Sequence, residues 1–311
     1  MKSFKILFSV LMLFTGFAVS SCDRTKPGTV DTKEDQHSKD VDRVKSESDQ
    51  VVSDAESIMS ETSLGRLAGG SGTAGTVCGA SIDTSAIAQK TITVTYDGVT
   101  TCNGYLRSGS ITLHLTQGNH WRDAGAVMEI THTNYKVIRQ SDNKSITFNG
   151  VKYVTNVNGF SWATLSRQYK ERATNLVLTF DDGSERQWSL ARNWNITITS
   201  LSPIGISYVI SGDSTLNGTA NVMAWGSNRY GTTFTNHTPT AITTTYGLNG
   251  CGFTKPLSGK IVHDLSGKGT LSATFGVDAS GNAVTSGCAY GYKLEWEGIN
   301  GNTASAVKPY N

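Results

Sequence analysis

Residues 175–199 read NLVLTFDDGSERQWSLARNWNITIT, and this stretch decides the fold. Asp181-Asp182-Gly183 is a three-residue loop with glycine third, the usual type I turn plus bulge with glycine in the left-handed position. Pairing Phe180 with Ser184 sets Leu176 across from Trp188 and Thr174 across from Leu190. One face then carries Leu176, Leu178, Phe180, Trp188, Leu190, Trp194, Ile196 and Ile198. The other carries Asn175, Thr179, Gln187, Ser189, Asn193 and Thr197. One apolar face and one wet face mark an antiparallel sheet. A two-residue slip keeps both faces, so the reading does not hang on a single register.

The same pattern continues in both directions. Residues 108–117 (SGSITLHLTQ) put Ile111, Leu113 and Leu115 on one face and Thr112, His114 and Thr116 on the other. Residues 126–139 form a further strand, and 146–157 another, with Asn149-Gly150 read as a turn. Beyond Pro203, strands at 206–210, 220–225, 240–246, 257–265, 269–275 and 290–298 alternate with glycine turns. The closing GNTASAVKPYN reads as a loose tail. The fold class is therefore all-β: an antiparallel multi-stranded meander or sandwich-like domain over residues 76–311, preceded by a short N-terminal helix or a disordered tether.

Upstream the material changes twice. Residues 1–22 (MKSFKILFSVLMLFTGFAVSSC) begin with Lys2 and Lys5, continue in an apolar run to Val19, and end Val-Ser-Ser-Cys. The run is too short for a spanning helix and ends in small residues, which reads as an export signal over 1–21. The Cys after two small residues is the pattern of a bacterial lipoprotein, with Cys22 acylated by palmitate-type chains. Residues 22–75 read as an acidic flexible tether: 23–63 hold eleven acidic residues and no aromatic. Within it, Val41, Val44, Ser48, Val51, Ala55 and Ile58 recur at helical spacing, predicting a short helix over 40–61 with Asp40 as its cap. LAGGSGTAG at 67–75 reads as a hinge.

Composition bounds the chemistry. Charged residues are 17% of the chain and net charge is +2, which gives no field toward nucleic acid. No later apolar run is long enough to span a bilayer, so the lipid on Cys22 is the expected membrane attachment. With Cys22 acylated, Cys78, Cys102, Cys251 and Cys288 remain, in no zinc-like spacing. Three pairings are open to them. Cys78–Cys102 and Cys251–Cys288 each bracket one hairpin-like segment, and these two bridges are expected.

Several segments together resemble a known set of proteins. CGASIDTSAIAQKTITVTY, then Cys102-Asn103-Gly104, then RSGSITL, with the later DDGSERQW and YVISGDSTLNGTA, is similar to envelope lipoproteins of Bacteroidota type. The likeness runs from about Val77 to Trp296 and rests on turn and strand motifs. No activity is established for that set, so the resemblance implies a fold and a location and assigns no site residue.

The chemical candidates are few. His114, Glu129 and His132 flank one hairpin, but without ligand spacing no metal or other cofactor is expected. Asp181, Asp182 and Glu185 sit where an Asp-Gly turn belongs. Trp188 and Trp194 share the apolar parity of their strand and read as core. Trp121, between His120 and Arg122 in a turn, is the exposed ring and the candidate ligand-binding residue. There is no catalytic motif and no nucleotide fingerprint. The expected function is a non-enzymatic binding or scaffold component of the cell envelope, lipid-anchored at an outer-membrane, periplasmic or surface face. Its partners would be the membrane and a glycan or another envelope protein. A carbohydrate-binding module is the alternative, and a hydrolase lacking a local motif the third. A cleft with two carboxylates would favour the hydrolase, a row of exposed rings the glycan binder, and an apolar trough a lipid carrier.

Overall fold

A computed structural model describes residues 32–64, 77–159, 165–202, 204–247, 251 and 255–310. Cys22, the export signal and the 67–75 hinge lie outside these residues. The chain is mostly strand, as expected, and divides into two compact units, Val51–Asn195 and Met1–Gln50 with Ile196–Asn311. One helix, α1 (Thr32–Glu61), contributes to both.

The Val51–Asn195 unit is an antiparallel meander in sequence order. Its strands are β1 (Ala80–Asp83), β2 (Thr91–Cys102), β3 (Tyr105–Gln117), β4 (Ala126–Arg139), β5 (Ser145–Asn156), β6 (Ser166–Phe180) and most of β7 (Glu185–Leu201). The β6–β7 hairpin closes as read, with the Phe180 N–H donating to Ser184 O and the Gly183 N–H to Phe180 O. Ile111, Leu113, Leu115, Leu178, Trp188 and Leu190 are all buried, so the period-2 pattern finds its core.

Left-handed residues interrupt five successive strands: Gly98, Gly109, Asn134, Gly150 and Asn175. The pairing register shifts at the same places. These are bulges that bend their strands, and those at Asn134 and Asn175 also switch which parity faces inward, from His132 to Tyr135 and from Ala173 to Leu176. At Gly109 the requirement is steric as well, because an added Cβ would lie 2.1 Å from Asn134 O. Asn149-Gly150 is accordingly a bulge inside β5 and not a turn. The row also corrects one side chain of the wet face. Ser189 is buried, and its Oγ accepts the Asn175 N–H that the bulge frees from the ladder.

The Ile196–Asn311 unit holds β8 (Ile204–Gly212), β9 (Ser214–Leu216), β10 (Thr219–Ser227), β11 (Thr233–Tyr246), β12 (Ser258–Leu265), β13 (Gly269–Val277), β14 (Gly291–Gly298) and β15 (Thr303–Pro309). From β10 to β15 neighbours in sequence pair antiparallel, while β8 adds to β11 and β9 to β10. Ile242, Phe275 and Tyr292 form a core cluster there. The expected loose C-terminal tail is instead β15, paired along seven positions with β14. Tyr310 beyond it donates its hydroxyl to Pro256 O.

Cys78 and Cys102 are bridged, as are Cys251 and Cys288, with Cα separations of 6.1 and 5.3 Å. Each bridge joins the two ends of one local segment, as strand pairing predicts.

The largest departure is α1. The expected short helix at 40–61 extends back to Thr32, and the expected solvated tether is, over this range, buried. Val44, Val51, Ala55, Ile58 and Met59 are buried, but so are His37, Asp40, Arg43, Glu47, Asp49 and Glu56. Composition alone sends such a segment to water. Here Arg229, Tyr96 and Tyr169 receive its carboxylates, and Asp40 is a mid-helix ion-pair partner and not a cap.

Candidate functional site

The strongest concentration of chemistry lies on three adjacent strands. Lys152 on β5, Glu171 on β6 and Arg192 on β7 are all buried. Lys152 Nζ is 3.1 Å from Glu171 Oε1, and Arg192 Nε donates to Oε2 at 2.6 Å. Burying three charges is tolerated only when each is paired, and Glu171 divides its two oxygens between the two cations. The Arg192 guanidinium also lies over the Trp194 ring, 5.0 Å from its centre. Parity carried the signal for two of the three. Arg192 shares the even parity of Trp188, Leu190 and Trp194, and Lys152 that of Phe148 and Val154. Glu171 was hidden, because the bulge at Asn175 inverts parity between it and Leu176.

His132 of β4 faces the same buried side. Burial, and secondly the charge of Lys152, lower its pKa to about 3, so the ring is neutral at neutral pH. His114 pairs directly with Glu129 across β3 and β4, while His132 pairs with Ile111 and points to the other face. The three candidate metal ligands are thus split between two faces by alternation. Among the described residues, no group of three His, Cys, Asp or Glu side chains comes together to hold a metal.

A second constellation ties the end of α1 to the sheet. Trp121, expected to be an exposed ring, is 5% exposed. Its N–H donates to Leu64 O at 2.7 Å, and its carbonyl accepts Asn156 Nδ2 at 2.9 Å. Its ring stacks on Tyr169, 5.9 Å away and 11° from parallel. The turn that displays it is covered by the chain segment following α1, which no local reading of residues 118–125 reveals. Tyr169 in turn shares hydrogen bonds with Arg167 and with Glu56 of α1. Burial raises the Glu56 pKa to about 7, against the smaller opposing effects of Arg167 and Tyr169. Tyr96 donates to Asp54 of α1 at 3.2 Å.

In the other unit, the first turns of α1 meet a comparable set. Arg229 forms two bonds to Asp40, and His37 packs against Phe234 and His263 with ring centres 5.0 and 4.6 Å away. His263 Nδ1 contacts Asn236 Oδ1. Burial lowers the pKa of His37 to about 3 and of His263 to about 4.

These groups hold the helix. Asp40, Asp54 and Glu56 of the helix are turned onto Arg229, Tyr96 and Tyr169 respectively. Asp181 and Asp182, at the hairpin tip, are exposed, with Asp182 accepting the Ser184 N–H at 2.9 Å in a turn. No family model, curated protein or solved structure matches this chain. The reading of its function therefore rests on its own residues.

Proposed function

We propose that the chain is a lipid-anchored protein of the cell envelope, serving as a non-enzymatic binding or scaffold component and similar in kind to the Bacteroidota-type lipoproteins it resembles. The observation that carries this reading is the sequence ending Val19-Ser20-Ser21-Cys22 after an apolar run. Two disulfides in the β units fit an oxidising compartment outside the cytosol. The buried Lys152–Glu171–Arg192 triad favours a scaffold over an enzyme, since its charges are paired with one another. The glycan-binding alternative loses Trp121 to the interior, although Tyr153, Tyr230, Tyr246 and Tyr290 stay exposed.

The test is Cys22→Ser in the full chain, with palmitate labelling and fractionation of the producing cells. The wild type should label and sediment with membranes. The variant should do neither, and persistent membrane association of the unlabelled variant would reject the anchor.

A further inference from the structure

The first turns of α1 have a definite place on the Ile196–Asn311 unit. Only nine residues, 23–31, separate Cys22 from the start of α1 at Thr32. Ten Cα steps of extended chain reach about 35 Å at most. The first turns of α1 are fixed to this unit by Asp40–Arg229 and by His37 against Phe234 and His263. A tether of fifty residues would let the β units range freely; a tether of nine keeps this unit beside the bilayer.

Strand register shows which end of the unit α1 meets. Ser227 pairs with Thr233, Phe234 with Leu265, Leu265 with Gly269, and Gly269 with Gly298. Glu297 pairs with Thr303. The turns 228–232, 266–268 and 298–302 therefore project from one end, beside Phe234 and Arg229. The Ser266 N–H donates to Thr233 O and the Ile299 N–H to Lys268 O, which keeps the tips adjacent.

The tips carry an unusual set for solvent. Ile299 is 68% exposed and Tyr230 is 42% exposed, with Lys268 exposed between their strands. An exposed aliphatic, an interfacial aromatic and a flexible cation are the side chains that partition to a headgroup region. Glu297 lies exposed one pair inside the hairpin and offsets the charge of Lys268.

We propose that this end of the unit, through Ile299, Tyr230 and Lys268, rests in the headgroup layer of the bilayer that holds the acylated Cys22. The inference rests on the lipid-anchor reading above. It converts the anchor from a loose leash into a two-point attachment that fixes how the protein stands on its membrane.

The opposite end of the same unit supplies an internal control. Leu201, 63% exposed, is the last residue of β7, three positions before β8, whose Ile206 pairs with Tyr246 at the far end of β11. Thirteen residue steps of β11 separate the two ends, about 40 Å. Ile299→Cys and Leu201→Cys would be made singly in the full-length lipidated protein and labelled with the same environment-sensitive fluorophore. Each would then be reconstituted into phosphatidylcholine vesicles containing a spin-labelled phosphatidylcholine quencher. Several-fold stronger quenching at position 299 than at 201 is expected, and it should persist without anionic lipid. Equal quenching at both positions, or stronger quenching at 201, on vesicle-bound protein would overturn the proposed orientation while leaving the anchor intact. Wild-type protein that fails to stay with the vesicles would overturn the anchor and the orientation together.

Discussion

Asp40 and Arg229, 189 residues apart in sequence, form a doubly hydrogen-bonded buried pair: Nε to Oδ2 at 2.7 Å and Nη2 to Oδ1 at 2.8 Å. Both side chains are about 5% exposed or less. Two parallel bonds between guanidinium and carboxylate fix orientation as well as distance. The pair explains how a helix of such acidic composition is held in this unit: its carboxylate meets a buried cation.

Breaking that pair from one side should be costly. Arg229→Ala leaves a buried carboxylate, and a loss of roughly 3–5 kcal/mol is expected. Replacing both partners, as in Asp40→Leu with Arg229→Met, should recover most of it. Chemical denaturation of the three variants checks this, and a double variant as weak as the single one would contradict the account.

The pH dependence of Glu56 has a definite sign. Its carboxyl is raised from an ordinary 4.5 to about 7 in the folded protein, chiefly by burial. The folded state then holds a proton that the unfolded chain releases above its ordinary pKa. The stabilisation is full below about pH 4.5 and is lost as pH rises through 7. The difference corresponds to about 3 kcal/mol at most. His37, His132 and His263 act oppositely: with pKa values lowered to about 3, 3 and 4 they cost stability as pH falls below their ordinary 6.5. Glu56→Gln should therefore leave acid stability unchanged and raise stability at pH 8 relative to wild type. Equal changes at pH 4 and pH 8 would show that the carboxyl titrates normally.

The hairpin at 175–199 shows how far alternation carries and where it stops. Turn chemistry at Asp181-Asp182-Gly183 and the parity of Leu178, Trp188 and Leu190 were legible, because both depend on neighbours along the chain. Ser189 was not, since its burial follows from the left-handed Asn175 fourteen residues earlier. Trp121 and the charges of α1 were misplaced for the same reason. Their surroundings are supplied by segments distant in sequence, and composition reports only what a segment prefers alone. The bridges at Cys78–Cys102 and Cys251–Cys288 were legible because each closes over local pairing.

Trp188→Ala should cost about 3–5 kcal/mol, since the ring is 1% exposed in the β7 core. Ser189→Ala removes the acceptor of the Asn175 N–H and should cost about 1–3 kcal/mol. Urea midpoints at constant slope check both. A neutral Ser189→Ala would mean that the bulge amide finds another partner.

Non-reducing peptide mapping should recover only Cys78–Cys102 and Cys251–Cys288. The bridges close segments with sequence separations of 24 and 37, and each should contribute about 3–4 kcal/mol in the chain-entropy account. Replacing either pair by Ser should thus lower stability by a similar amount, the second slightly more than the first. Any peptide joining Cys78 or Cys102 to Cys251 or Cys288 would contradict the pairing.

The last prediction reverses what composition suggests for residues 22–64. A solvated acidic tether is removable without effect on folding, whereas a buried helix is not. Deleting α1 removes Val44, Val51, Ala55, Ile58 and Met59 from the core. It also strips Arg229, Tyr96 and Trp121 of bonds to Asp40, Asp54 and Leu64. At about 1.5–3 kcal/mol for each larger apolar side chain, the loss is comparable to the whole stability of an ordinary domain. A chain beginning at residue 65 should therefore be recovered unfolded or aggregated. Supplying residues 32–64 as a separate peptide should restore a cooperative melt, because it returns the groups that Arg229, Tyr96 and Trp121 bond. If the shortened chain instead melts within a few degrees of the intact protein, α1 contributes no net stability and its buried charges cost as much as its apolar face returns.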